Sequence, residues 1–375
     1  MIALLLSRVE AGGLERVQFN LARGLVDRGH SVRIVAGRLE GAAPCVDEVH
    51  FIAPSGAWQF LWRLLGWIRR NRPAVIVTTS NDVAVWVLLW RRWLYADAEV
   101  IVTQHLAISG PRLAARGVRW VKLACIRWAM ARLLPSADAI VAVSAAVAAD
   151  MRAELGLDGI SIDVIHNPIV AVADAAAPDL PCPEAWPFPR DGVPVLVFVG
   201  RLAPEKRLDL LFAAFMQVRA TLPVRLLVLG AGPIAAQLEQ WRQDAGVGID
   251  CRLMGQMQDV LPWIANSDIL VLPSDYEGFG NVLVEAMQCA TQIVATDCPS
   301  GPAEILDHGR FGQLVAVGDA AALAVALRRS LDGSFRVERD ALLARSAEFS
   351  IDRAVDAYER VFTAKEERVP PSFQR

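Results

Sequence analysis

The chain has 375 residues, 54% of them apolar and 21% charged, with a net charge of −3 and six cysteines. That is too apolar for a disordered segment, long for one core, and comfortable for two at roughly 100–200 residues per domain. Charge is unevenly spread, since residues 1–135 hold 18 Lys or Arg against 9 Asp or Glu and the rest hold 20 against 32. Such asymmetry gives the first part an anionic partner, either nucleic acid or a bilayer rich in acidic lipids. The cysteines at 45, 125, 182, 251, 289 and 298 form no close pair and no metal-ligand spacing. They read as reduced, mostly buried cytosolic residues.

Met1-Ile-Ala-Leu-Leu-Leu-Ser7 lacks a basic leader and a cleavage site, so it reads as a buried strand rather than a signal peptide. Gly12-Gly13-Leu14-Glu15-Arg16 follows, with a backbone that allows close approach at a helix start. Further strands are expected at Val32–Ala36, Val75–Thr78, Val100–Thr103, Ala139–Val143 and Ile162–Ile165, alternating with helices. Eight of the eleven tryptophans fall between Trp58 and Trp128, mixed with arginine. Trp58, Trp62 and Trp67 accompany Arg63, Arg69 and Arg70; Trp120 and Trp128 accompany Arg119, Lys122, Arg127 and Arg132. Helices of this kind either lie in a headgroup layer or pack on a sheet with solvated outer faces; the number of tryptophans favours the membrane. The tryptophans sit on helical stretches rather than on a strand platform, which argues against nucleic acid. No segment spans a bilayer: the apolar run Val83–Trp90 ends at Arg91-Arg92, far short of the roughly 20 residues required.

Five prolines between Pro178 and Pro189, then Arg190-Asp191-Gly192, read as a linker. A second alternating series follows, with strands expected at Val195–Val199, Leu226–Leu229, Cys251–Leu253, Ile269–Leu272 and Gln292–Ala295. The expected organisation is therefore α/β, a first domain over 1–175, a linker over 176–193 and a second domain over 194–350. The final helix, within 351–367, returns to the first domain, and the tail Val369–Arg375 is expected to be disordered. Two doubly wound domains in tandem leave a cleft between the carboxyl ends of their sheets, where ligands bind.

The densest chemistry lies in Glu277-Gly-Phe-Gly-Asn281-Val-Leu-Val-Glu285. An apolar strand leads in, glycines make the turn, and Asn281–Gln288 has helical spacing. A helix start presents free N–H groups and a positive dipole end, so the natural guest is a phosphate. Glu277 is too close to that phosphate to be its ligand, and two carboxylates flanking an anion site call for hydroxyl partners. A nucleotide sugar has both. Gly200-Arg201-Leu202 with Glu205-Lys206 follows the first strand of the second domain, and Arg201 and Lys206 form a phosphate-binding pair across one turn. Gly230-Ala-Gly232-Pro follows the next strand.

Together with Thr296-Asp-Cys-Pro-Ser300-Gly-Pro-Ala-Glu304-Ile-Leu, these motifs resemble the retaining glycosyltransferases of family four, over nearly the whole chain. The resemblance implies the GT-B fold, two Rossmann-like domains facing each other across a cleft. It implies that Arg201 and Lys206 bind the donor diphosphate, Glu277 the transferred sugar and Glu285 the ribose. The turn Gly278, Phe279 and Gly280 would lead into the amides of Asn281, Val282 and Leu283, which cap the phosphates. The backbone of Gly255 and Gln256 would face the base, Gly13 would approach the β-phosphate, and His105 would stand beside the transferred sugar. No Asp-x-Asp occurs and Asp275-Tyr-Glu277 is its nearest approach, so no metal and no cofactor is expected; fixed cations and a helix start would do the electrostatic work.

Blander readings stand beside these. Glu277 and Glu285 are otherwise helix carboxylates, Arg201 and Lys206 surface charges, and His105 a satisfied core histidine. Ser300 and Glu304 are read as caps of the short helix that follows, and Glu15 with Arg16 as a surface pair unless Arg16 reaches an acceptor phosphate. Two rival functions exist. A dehydrogenase would use Gly230–Ala235 as its dinucleotide loop with Asp250 on the ribose, but Pro233 and the placement on a second strand count against it. A UDP-sugar 2-epimerase would need more carboxylates in the first domain. The favoured expectation is a cytoplasmic glycosyltransferase on the inner face of the cytoplasmic membrane. It would move a hexose or N-acetylhexosamine from a UDP-sugar to a lipid-linked or cell-envelope glycan acceptor of bacterial surface-polysaccharide type.

Overall fold

A computed structural model describes residues 1–7, 13–37, 49–52, 57–95, 97–110, 117–171 and 180–368. Gly12, Cys45, residues 176–179 of the proline-rich stretch and the tail Val369–Arg375 lie outside the described residues, as do the side chains of Trp58 and Arg119. The chain divides into two units, Met1–Pro168 together with the segment from Ile351 onward, and Ile169–Ser350.

The first unit is built on a parallel sheet of β1 (Ile2–Leu6), β2 (Val32–Ala36), β3 (Val49–Phe51), β4 (Val75–Thr78), β5 (Glu99–Gln104), β6 (Ala139–Ala142) and β7 (Asp163–Val164). Its order is β3-β2-β1-β4-β5-β6-β7, with Ile2 in register with both Val32 and Val75. β1 is buried throughout, which is why it reads as an unbroken apolar run rather than an alternating one. Between the strands run α1 (Gly13–Asp27), α2 (Ala57–Asn71), α3 (Asn81–Leu94), α4 (Val118–Leu133) and α5 (Ala145–Leu155). Val17, Leu21 and Leu25 recur every fourth residue and form the buried stripe of α1.

The second unit repeats the plan. β8 (Val195–Val199), β9 (Arg225–Leu229), β10 (Cys251–Gly255), β11 (Ile269–Leu272), β12 (Gln292–Thr296) and β13 (Gln313–Val315) form a parallel sheet in the order β10-β9-β8-β11-β12-β13. Its helices are α6 (Leu208–Arg219), α7 (Ala235–Asp244), α8 (Leu261–Ala265), α9 (Asn281–Gln288), α10 (Pro302–Ile305), α11 (Ala320–Leu331) and α12 (Arg339–Ala347). In each sheet the strand order reverses once, between β1 and β4 and between β8 and β11. Loops leaving the carboxyl ends of those adjoining strands diverge to opposite faces and leave room for a ligand.

Residues 180–193 are anchored to the second unit. Trp186 stacks on Trp263 at 6.0 Å, Phe188 is buried, and Arg225 pairs with Asp191 at 2.6 Å. Prolines gave this stretch the composition of a linker, but the aromatics between them dock it.

The last helix, α13 (Ile351–Arg368), closes the core of the first unit. A Cβ on Gly24 would fall 2.5 Å from Ile351 Cγ2 and 2.7 Å from Val355 Cγ2, so glycine lets α1 and α13 approach. Tyr358 is buried with its hydroxyl 3.3 Å from Thr103 Oγ1, and burial pushes its pKa up to about 12. Outside, Arg28 pairs with Asp356 at 2.8 Å and His30 Nε2 lies 2.8 Å from Glu359 Oε1.

Candidate functional site

The loops after β8 and β11 are joined at three points. Lys206 Nζ donates to Glu277 Oε1 at 2.6 Å, Arg207 Nη1 donates to Asp275 Oδ1 at 2.9 Å, and the Asp275 amide donates to the Glu205 carbonyl at 2.9 Å. The β8 loop is shaped for this by a 3-10 turn over Pro204–Lys206 and by Arg207 in the left-handed region. The β11 loop is fixed by hydroxyls. Ser274 Oγ donates to Glu277 Oε1 at 2.6 Å, Thr296 Oγ1 donates to the Ser274 carbonyl at 2.6 Å, and Ser300 Oγ lies 2.6 Å from the Glu277 carbonyl. Ser300 therefore secures Glu277 rather than capping α10, whose N-cap is Gly301. Ser274 and Arg207 carried no signal in the sequence, being single polar residues in loops, and Asp275 drew notice only in the Asp275-Tyr-Glu277 string, whereas it pairs with Arg207.

The other expected residues separate into those at this edge and those in the core. Gly280, at φ 99°, is the N-cap of α9 and has no side chain with which to cap it. Of the three amides expected there, that of Leu283 already donates to the Gly280 carbonyl at 2.9 Å. The Leu283 side chain is fully buried, and Phe279 is buried edge-on against Phe349 at 5.7 Å, so both are core residues whose backbones alone border the turn. Gly278 is half-buried and Glu285 is buried on α9. Arg201 is mostly exposed and pairs with Glu205. Gly255 ends β10, its carbonyl accepting the Gly230 amide at 2.7 Å, and Gln256 follows it. Gly13 is exposed at the start of α1.

In the first unit a cavity of about 380 Å³ lies beyond β1, β4 and β5, lined by Leu14, Ser80, Asp82, Gln104, His105 and Lys122 among others. His105 Nε2 stands 3.3 Å from Gln18 Nε2. Desolvation pushes its pKa down to about 4 against a smaller opposing effect of Asn167, so the ring is neutral near pH 7. Among the described residues Ser80 Oγ, Gln104 Oε1 and His105 Nδ1 are buried polar atoms without a partner, and Ser80 does not cap the helix it precedes. Buried polar atoms left unsatisfied mark a place where a ligand can supply the missing bonds.

The tryptophans divide by face. Trp62, Trp93, Trp120 and Trp128 are 53%, 71%, 47% and 65% exposed, whereas Trp67 is 3% exposed and belongs to the core. Trp62, Trp86, Trp90 and Trp93 form a chain of ring contacts between α2 and α3, with centroids 5.1–5.9 Å apart. Among the described residues no helix is long and apolar enough to cross a membrane.

The dinucleotide reading of Gly230–Ala235 fails on packing. A Cβ on Gly230 would fall 1.9 Å from the Gly200 carbonyl oxygen and one on Gly232 would fall 2.3 Å from that of Leu202. These glycines serve close contact between two loops, and Asp250 is engaged by Arg219 at 2.6 Å. Among the described residues no group of three or more His, Cys, Asp or Glu side chains is placed to share a metal ion. Of the cysteines described, Cys251, Cys289 and Cys298 are buried, Cys182 is half-buried and Cys125 is exposed.

Comparison with known proteins fits this geometry. Residues 11–171 match the profile described as Glycosyltransferase Family 4, and residues 193–333 match that of Glycosyl transferases group 1. The chain is 30% identical over 400 residues to a glycogen synthase of Mycobacterium tuberculosis, covering 95% of this chain and 92% of that one. It is 28% identical over 239 residues to the lipopolysaccharide 1,6-galactosyltransferase of Escherichia coli, covering 62% and 63%. A match to an exopolysaccharide phosphotransferase of Streptomyces coelicolor, 33% identical, takes in 45% of this chain and only 18% of that protein. In structure it resembles Anabaena HepE in complex with UDP, with a TM-score of 0.70 at 17% identity over 97% of this chain and 99% of that one. That likeness gives the second unit and the first the GT-B fold.

Proposed function

Since this chain belongs to glycosyltransferase family 4, we propose that it transfers a hexose or N-acetylhexosamine from a UDP-sugar to a lipid-linked or cell-envelope glycan, with retention of anomeric configuration. The observation that carries the reading is the joining of Lys206 and Glu277 at the carboxyl ends of β8 and β11, beside the uncapped start of α9. One cation, one carboxylate and a helix dipole within a single loop cluster suit a ligand that is a sugar at one end and a diphosphate at the other.

Breaking a sugar–phosphate bond leaves an oxocarbenium-like centre and a diphosphate with added negative charge. Lys206, Arg201 and the first amides of α9 would stabilise that charge as it develops, without the help of a metal ion. Glu277 would accept a hydroxyl of the transferred sugar, Glu285 the ribose hydroxyls, and the backbone at Gly255 and Gln256 would border the base. Retention would follow attack on the face that the leaving phosphate vacates, with that phosphate accepting the acceptor's proton. His105, neutral, would meet sugar hydroxyls by hydrogen bonds rather than by charge. The UDP complex of HepE supports a uridine donor, and the likeness to a lipopolysaccharide galactosyltransferase supports an envelope acceptor. Trp62, Trp93, Trp120 and Trp128, with the neighbouring arginines, would hold the protein on the anionic inner face of the cytoplasmic membrane.

The test is a thermal-shift series against UDP-, GDP-, ADP- and dTDP-sugars, NAD and NADP, each with and without EDTA. A ligand selective for the folded protein raises its melting temperature. Stabilisation by UDP-sugars that EDTA leaves unchanged is expected; stabilisation by NAD alone would end this reading.

A further inference from the structure

We infer that Ser274 is a positioning residue for Glu277, holding one carboxylate oxygen so that the other is presented to the sugar. This rests on the proposed donor site and deepens it. Both protein donors to the Glu277 carboxylate converge on the same atom, Oε1: the Ser274 hydroxyl at 2.6 Å and the Lys206 ammonium at 2.6 Å. A carboxylate offers about four lone-pair sites over two oxygens. Here Oε1 takes both bonds, and among the described residues no donor reaches Oε2. Oε2 is not one of the buried unpartnered atoms, so its lone pairs border accessible space where a sugar hydroxyl can meet them.

Ser274 is itself held. It is completely buried, and the Thr296 hydroxyl fixes its carbonyl at 2.6 Å. Ser300 meanwhile holds the Glu277 backbone, so χ rotation of the side chain is the freedom that Ser274 removes. Lys206, having given one N–H to Oε1, keeps two for a phosphate. The cluster thus divides its work: Oε2 reads the sugar and Lys206 reads the diphosphate. Removing the Ser274 hydroxyl should harm the first and spare the second.

Calorimetric titration of the wild type, Ser274→Ala, Glu277→Ala and the double variant with UDP, UDP-glucose, UDP-galactose and UDP-N-acetylglucosamine separates these roles. Ser274→Ala is expected to bind UDP within about twofold of the wild type, which also shows that it is folded. It is expected to lose about tenfold in affinity for the preferred UDP-sugar. In the Glu277→Ala background the Ser274→Ala change should cost nothing further, because its effect passes through Glu277. Equal losses for UDP and UDP-sugar, or additive losses in the double variant, would overturn the inference. A wild type that binds neither UDP nor any of these sugars would instead overturn the donor reading on which it rests.

Discussion

Lys206 Nζ and Glu277 Oε1 stand 2.6 Å apart although 71 residues separate them in sequence. Neither group has much access to water, with side chains 19% and 9% exposed, so each is the other's main compensation. Glu277→Ala is expected to reduce sugar transfer at least about 100-fold while the fold persists, since one preorganised group in such a site is worth that much or more. Transfer of labelled sugar, with circular dichroism as the folding control, checks this. Near-normal turnover in a folded variant would remove Glu277 from the site.

His105 should leave a mark on stability rather than on charge at pH 7. Its folded pKa of about 4 lies below the ordinary 6.5, with desolvation the main cause. The unfolded chain therefore takes up this proton first, and unfolding is favoured progressively as pH falls from 6.5 towards 4; above 6.5 the penalty is absent. The full difference corresponds to about 3 kcal/mol. His105→Gln should thus gain on the wild type in urea midpoint as the pH is lowered through that window. A stability difference that stays constant from pH 7 to 4 would contradict the burial of this ring.

Two tryptophans of the same arginine-rich region should respond in opposite ways. Trp67 is buried in the first unit, and Trp67→Ala should destabilise it by about 3–5 kcal/mol. Trp93 is 71% exposed, so Trp93→Ala combined with Trp62→Ala and Trp128→Ala should cost less stability than Trp67→Ala alone, the loss coming mainly from the ring contacts of Trp62 and Trp93 with Trp86 and Trp90. That triple variant is expected to be released from vesicles containing anionic lipid in a co-sedimentation assay. Undiminished binding would assign these rings to some other surface.

Gly230→Ala should be poorly tolerated although the residue binds nothing. The new methyl would lie 1.9 Å from the Gly200 carbonyl, at the root of the turn that carries Lys206. Overpacking of this kind costs about 1–3 kcal/mol, and the displaced turn should lower UDP affinity as well. Normal melting and normal UDP binding in the variant would mean that the two loops are not packed as described.

Much of this architecture was legible, for identifiable reasons. Val195–Val199 and Ile269–Leu272 were recovered at their true ends because buried parallel strands are apolar without interruption. β3 and β13 escaped because three residues are too few to show a pattern. Glu277 was legible through its place between a strand, glycines and a helix, whereas Ser274, three residues earlier in a loop, has no periodicity to announce that it meets Glu277. Phe279 and Leu283 are expected at the site through their backbones, and only the packing against Phe349 and the core shows where their side chains point. Trp62 and Trp67 are five positions apart on one helix, about 140° around its axis. Treating them as one face ignored the turn between them.

The return of α13 to the first unit also bears on synthesis. The second unit is continuous from Ile169 to Ser350, but the first is interrupted and depends on Val355 and Tyr358 to complete its core. A chain emerging from the ribosome in order can therefore finish its later unit while the earlier one still lacks a wall. Until α13 emerges, the apolar side of α1 around Gly24 stays open to water and to chaperones. Completion of the first unit thus waits for α13, and a chain cut before Ile351 keeps all of the second unit beside a first whose core lacks Val355 and Tyr358.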